Sequence, residues 1–525
     1  MRCVVSLAFL SSGTAAPPRV LPGPTFAEPY PPLAGGEWSG PPIPFHPDPL
    51  ATYAWGPSVN ASVLQIFALL PATATLTPDT PPSSFSNVAS LLAPLPSVAV
   101  AGAGGIQFDF GVNSAAWLEF DSPDLTAADA ARVELSVSEY NEFEITNLGP
   151  KVGAPVAHPR GGGAPTMWRL EIPHGDGSGL FEGVRFAWLR VNATPTAPWT
   201  ITGLRLVCQV KPQNWSGAFA AAGDEDLSKI WYLGAYTVKV NLLADQFGSI
   251  LIYRGDRFSW TGDAHVAQAT AMAALGNFDF VKQNLRFTQK NCNGIESYCL
   301  YFVLSVTDYF AATNDTALMA ELAPSVTGYL EHAHSVFGHA RLSFFGWDVR
   351  ARAVGQCYTA QTAAPSTPAP PPLTRTHARA HCHHHHQAQD RLGSGFAGAD
   401  ASAEAQAAYG FLAMRAWHAW AGVLAATGDP TGAAHWRAYY DAAVAAARAP
   451  GPSWLLPLGL FASADAINAG FVAPGEAAAM VARLFNNSVT ICGLSPFNTF
   501  FVLQALGAAG ELDRGIATIH ECWGV

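Results

Sequence analysis

In several short runs of the first 210 residues, apolar side chains alternate with polar or small ones. Ile106, Phe108 and Phe110 form one run; Val133, Leu135 and Val137 form another. Val184, Phe186 and Trp188, then Leu204, Leu206 and Cys208, keep the same rhythm. A period of two puts one face of each run into a core and predicts strands. Segments bearing Gly, Pro or Asn (Gly111–Asn113, Gly161–Pro165 and Asp176–Gly179) are expected as the turns between them. Residues 30–213 therefore read as an antiparallel β-sandwich.

Beyond Lys211–Asn214 the period lengthens to that of helices. Asp224 is placed to cap a helix over Glu225–Leu243, whose acidic first turn suits the helix dipole. Helical patterns recur at 263–276, 279–290, 298–313, 316–337, 403–427, 430–448, 474–485, 497–509 and 512–522. Asn314-Asp315 and Gly428-Asp429-Pro430 are suitable stops and restarts. Helices joined by short connections predict stacked hairpins, an α/α toroid or solenoid over residues 214–525.

Two segments do not follow these patterns. Residues 1–29 read as a leader, with one basic residue, an apolar run Cys3–Leu10 and small residues to Ala16. With N-x-[ST] sequons at Asn60, Asn192, Asn214, Asn314 and Asn486, this fits secretion. Residues 349–389 have no periodicity and cluster Pro, Thr, Ala and His, so they read as a low-complexity insertion. His381, Cys382 and His383–His386 lie there, but consecutive histidines impose no coordination geometry, and no metal site or cofactor is assigned.

Composition narrows the function classes. Lys and Arg number 28 against 39 Asp and Glu, a formal charge of −11, which excludes a nucleic-acid partner held by a basic face. Charged residues are 13% of the chain and hydrophobic ones 49%, which excludes a highly charged disordered chain or a coiled coil. The most apolar stretch, Ile230–Tyr253, contains Lys239, Asp245 and Gln246, so no membrane span is expected. None of the eight cysteines forms a CxxC pair, although Cys292 and Cys299 could close a small loop.

The densest polar cluster is Arg254-Gly255-Asp256-Arg257-Phe258-Ser259-Trp260-Thr261-Gly262-Asp263-Ala264-His265. Asp256 and Asp263 could flank a polar ligand while Trp260 offers an apolar ring face. Sugars need that combination, because their hydroxyls donate to carboxylates and their C–H faces pack on indole. Equally, Asp263 could be a helix N-cap and Asp256–Arg257 a surface ion pair.

This segment resembles the signature of the α-L-rhamnosidase family of inverting glycoside hydrolases, in the six-hairpin glycosidase superfamily. The likeness extends to FDFGVNSAAWLEF, ELSVSEYNEF and LFEGVRFAWLRV in the β half, and to SPFNTFFVLQALGAAGELDRGIATIHECWG among the late helices. It implies a β-sandwich followed by an (α/α)6 toroid, a carbohydrate substrate and no cofactor. Asp256 stands where the family has its general acid. Trp260 matches a sugar-contacting Trp, Asp263 a carboxylate that binds sugar hydroxyls, and Arg257 a residue that could position the acid. Trp347 and Asp348, in FFGWD, resemble another sugar-binding segment. There GWD is closely followed by D-x-L-G-x-G-F, which here begins only at Asp390, so 349–389 looks inserted into a continuous motif.

Two departures qualify the expectation. Leu251 stands where similar sequences commonly carry another Asp. The family's general-base Glu follows a W-G-G stretch, whereas this sequence ends at Trp523-Gly524-Val525. From this the toroid is expected to be incomplete, with exposed apolar faces, and the chain inactive or poorly folded. A non-catalytic carbohydrate-binding protein on the same scaffold is the alternative. A polysaccharide lyase using Tyr298, Tyr301 and His265 is a third reading.

Overall fold

The structure is a computed structural model. It describes residues 65–93, 95–139, 141, 152–159, 165–171, 181–210, 216–242, 246–248, 259–290, 292–340, 342, 400–449, 458–485, 491–492, 494 and 496–524. The leader and the 349–389 insertion lie outside these.

The first part is built from antiparallel strands. They are β1 (Gln65–Leu69), β2 (Thr73–Leu76), β3 (Phe85–Ser86), β4 (Val98–Val100), β5 (Gly104–Ser122), β6 (Val133–Ser138), β7 (Val152–Gly153), β8 (Pro155–His158), β9 (Thr166–Leu170), β10 (Phe181–Val191), β11 (Trp199–Ile201) and β12 (Gly203–Val210). A nine-stranded sheet runs β1-β12-β5-β10-β6-β7, with β2, β9 and, through β9, β8 attached to β5. A three-stranded sheet runs β11-β4-β3. Both contribute to one hydrophobic cluster: Phe85, Val98 and Trp199 from the small sheet meet Phe108, Phe120, Leu189 and Leu206 from the large one. The four alternating runs coincide with β5, β6, β10 and β12.

The expected turn at Gly111–Asn113 is instead part of β5. Phe186 pairs with Asp109 and Val184 with Ser114, so β5 advances five residues while β10 advances two. The extra residues bulge out, helped by Gly111 at φ 80°, whose N–H donates to the Asp109 carboxylate. A bulge satisfies its own backbone locally, which is why its composition reads as a turn. The other two expected turns lie largely outside the described residues.

The second face of the large sheet carries charge. Arg169 donates twice to Glu119, while Arg205 donates to Glu119 and, through both terminal nitrogens, to Asp121. All four residues are buried, and the Arg169 guanidinium lies 4.7 Å from the Trp117 ring centre. Glu119 and Arg205 link the group, so truncating either would break buried ion pairs on both sides, a loss of about 3–5 kcal/mol.

Twelve described helices include one short turn in the β part, α1 (Ala127–Ala130). The others are α2 (Glu225–Val240), α3 (Thr261–Thr270), α4 (Phe278–Thr288), α5 (Glu296–Thr313), α6 (Thr316–Ser335), α7 (Asp400–Thr427), α8 (Pro430–Arg448), α9 (Leu460–Asn468), α10 (Pro474–Leu484), α11 (Pro496–Ala508) and α12 (Leu512–Trp523). Asp224, Asn277, Asp315 and Asp429 cap α2, α4, α6 and α8 with their side chains. Helix α9, buried at all but its last residue, was not foreseen, because its nine residues are too few for a helical period to stand out. Its N-terminus is held by buried Glu404 of α7, which accepts from the N–H groups of Gly459 (2.6 Å) and Ala462 (3.0 Å).

The described helices pack in a cycle. Helix α3 lies on α5, α5 on α7, α7 on α9, α9 on α11, and α11 returns to α3. Helix α12 packs back on α2, where His520 Nε2 meets Asp224 Oδ2 at 2.7 Å. The first and last of these helices thus touch. Leu512, Ile516 and Trp523 on α12 and Tyr232 and Leu233 on α2 are exposed.

Helix α2 also ties the helices to the sheet, since Tyr236 Oη donates to the Asn113 carbonyl in the β5 bulge at 2.7 Å. Asn113 in turn donates its side-chain N–H to Glu139 at 2.7 Å. Burial pushes the Glu139 carboxyl up from 4.5 to about 7, against the opposing pull of that hydrogen bond. The folded state therefore prefers the protonated acid. Its favourable contribution is complete below about pH 4.5 and is lost as pH rises through about 7. Glu139→Gln is expected to stabilise the fold at pH 8 and to give little gain at pH 4.5. Thermal unfolding at the two values checks this, and an equal shift at both would contradict it.

Candidate active site

The motif segment enters α3. Trp260 is the N-cap residue, with extended φ −109° and ψ 118°, and it makes no side-chain cap. Asp263 is the third residue of the helix and not its N-cap, so that alternative is corrected; its charge suits the first turn. Helix α3 passes into one π-helical turn, Ala271–Leu275, where the Ala274 carbonyl accepts from the N–H groups of Ser216 and Gly217. The strand-to-helix connection is thereby fastened to the far end of α3.

Four contacts from the turn before α5 and from α5 itself fix the head of α3. The Asn293 side chain accepts from Thr261 N–H at 2.9 Å and donates to the Ser259 carbonyl at 3.1 Å. Tyr298 Oη donates to Asp263 Oδ2 at 2.8 Å. The Tyr298 ring lies so close to Gly262 that a Cβ there would collide with it. Thus the Gly of the Trp-Thr-Gly-Asp stretch makes room for the ring that orients the Asp.

Behind the head lies an aromatic layer. The rings of His265, Tyr301 and Phe501 stack on one another, with centres 5.1–6.1 Å apart. Ser305 gives its only hydroxyl proton to the Tyr301 carbonyl at 2.9 Å. Hydrogen-bond accounting therefore makes His265 Nδ1 the donor in its 3.0 Å contact with Ser305 Oγ. Tyr298, Tyr301 and His265 are all at most 1% exposed. A lyase needs its Tyr/His pair against the polymer, so their burial argues against that reading.

Trp260 and Asp263 are partly buried, and within the described residues the Trp260 indole N–H makes no hydrogen bond. Asp256, Arg257, Trp347 and Asp348 lie outside the described residues, as does Leu251. Sequence reasoning missed Asn293, and it named Tyr298 only for a lyase and not as a partner of Asp263; both reach their bonded partners from 32–35 residues away. Burial raises Asp308 on α5, a lone acid in an apolar run, to about 6 against the opposing charge of Arg415. Among the described residues no three His, Cys, Asp or Glu side chains gather as a metal site, and no helix is long and apolar enough to cross a membrane. A hollow of about 430 Å³ among α6, α7 and α8, lined by Glu331, Trp420, His435 and Trp436, contains neither Trp260 nor Asp263.

No family model matches the sequence, and no curated protein matches it. Solved structures do. The fold is similar to a rhamnosidase from Klebsiella oxytoca with rhamnose bound, at TM-score 0.61 and 15% identity. That match covers 88% of this chain and 87% of the Klebsiella one. It is also similar to a GH78 family rhamnosidase of Bacillus sp. GL1, at TM-score 0.55 and 14% identity, over 85% of this chain and 44% of that one. The chain shares the fold of these two rhamnosidases.

Gly262→Ala should force the buried Tyr298 ring aside and cost about 1–3 kcal/mol, read as a lower urea midpoint. An unchanged midpoint would show that the ring has room to move.

Proposed function

We propose that the protein is a glycoside hydrolase acting on a terminal α-L-rhamnoside or a similar deoxy-sugar. The observation that carries this reading is the joint placement of an indole and a carboxylate, Trp260 and Asp263, at the head of α3 on a rhamnosidase fold. In this reading the ring's C–H face lies on Trp260 and its hydroxyls donate to Asp263. Trp347, Asp348 and Arg257 complete the sugar contacts. The β-sandwich and the (α/α)6 toroid, divided near residue 213, belong to the same proposal.

The reaction proposed is single-displacement inversion. Asp256 protonates the glycosidic oxygen as its bond to the anomeric carbon breaks. Water attacks that carbon from the opposite face and loses a proton to a base, for which no residue is assigned. Asp256 must hold its proton near neutral pH, and Arg257 is then best placed on the sugar, since direct pairing would favour the ionised acid. The non-catalytic binding reading is favoured by Leu251 at a position where similar sequences commonly carry an Asp.

One set of measurements separates the two. L-Rhamnose should change the tryptophan fluorescence, and Trp260→Ala and Asp263→Asn should each weaken binding about 10- to 100-fold. Proton NMR on an aryl α-L-rhamnoside should show the β-anomer released first, and Asp256→Asn should lower kcat about 10²–10⁴-fold. Sugar binding with no turnover selects the binding protein. Failure to bind rhamnose or any other monosaccharide contradicts both readings.

A further inference from the structure

The two residues that hold the motif belong to one covalently closed loop. Cys292 and Cys299 form a disulfide, and between them lie Asn293 and Tyr298. Asn293 sits at φ 57°, a left-handed conformation, followed by Gly294 at φ 71°. The two open the turn into α5, which the Cys292 carbonyl closes by accepting from Ile295 N–H at 3.0 Å. This backbone turns the Asn293 side chain onto both ends of the Ser259–Thr261 step, where it acts as donor and acceptor at once. At the other end of the loop, fully buried Tyr298 spans Gly262 to reach Asp263. A loop of this size has little freedom once bridged, so the two anchors keep a fixed spacing.

We propose that the Cys292–Cys299 loop is a clamp for sugar recognition, with Asn293 and Tyr298 as positioning residues. Asn293 sets where the chain bearing Trp260 enters α3, and Tyr298 sets the direction of the Asp263 carboxylate. This rests on the carbohydrate reading of Trp260 and Asp263. A flexible carboxylate would lose entropy on meeting a sugar, and the clamp removes that cost before the ligand arrives.

The clamp can be weakened without emptying the core. Tyr298→Phe keeps the ring over Gly262 and deletes only the hydroxyl. Asn293→Gly keeps a residue at ease with positive φ and deletes only the side chain. Each variant is titrated with L-rhamnose by tryptophan fluorescence, and amide exchange of residues 259–263 is followed without sugar. The expected result is a rise in Kd of about tenfold or more for Tyr298→Phe. Asn293→Gly should raise Kd at least fivefold and speed exchange at Thr261. The melting temperature of each should stay near that of the parent, and the double change Cys292→Ser with Cys299→Ser should move Kd in the same direction. A Kd within twofold of the parent in either variant overturns that residue's role while leaving the sugar reading intact. A parent protein that binds no monosaccharide overturns the sugar reading and this one together.

Discussion

The contact on which the helical part depends is the stack of His265, Tyr301 and Phe501. It joins α3, α5 and α11, the first two central helices and the last one. It closes the cycle of helices between α11 and α3, with Phe500 edge-on to His265 and Phe497 edge-on to Tyr301 beside it. Aromatic faces suit this position because they bury large area and lock relative orientation. The His265–Ser305 hydrogen bond satisfies Nδ1 and adds a polar tie between α3 and α5 inside that apolar layer.

Closure of the ring fixes the direction of α3, and that in turn fixes the motif. Its far end is tied to Ser216 and Gly217, its middle to the stack, and its head to Asn293 and Tyr298. The carboxylate of Asp263 is therefore set by four separate elements of the chain. In the sheet, by contrast, the main polar contacts are the buried charges Glu119, Asp121, Arg169 and Arg205, which satisfy one another and leave nothing directed at a ligand.

Much of the fold was legible from periodicity, and the reasons for the exceptions are physical. The runs through Phe108, Leu135, Trp188 and Leu206 became strands because alternating side chains point to opposite faces of a sheet. Gly111–Asn113 failed as a turn, since a bulge uses the same residues for the same backbone freedom. Helix α9 was missed because its nine residues are too few for a helical period to stand out. Glu119 and Arg205 alternate as a solvent face would, and only their mutual contacts reveal burial. Of the candidate site, Trp260 and Asp263 were legible as a motif, and Cys292 with Cys299 as a small loop. The link between them was not: Tyr298 and Asn293 reach the motif through space, and nothing local in the chain announces such contacts.

The central claim is that the head of α3 receives a sugar ring. A crystal structure of the protein soaked with L-rhamnose tests it most directly. The expected result is the sugar's apolar face on Trp260, with a hydroxyl within hydrogen-bond distance of Asp263 and the Tyr298–Asp263 contact retained. Rhamnose bound only elsewhere, as in the hollow beside Glu331 and His435, would contradict it.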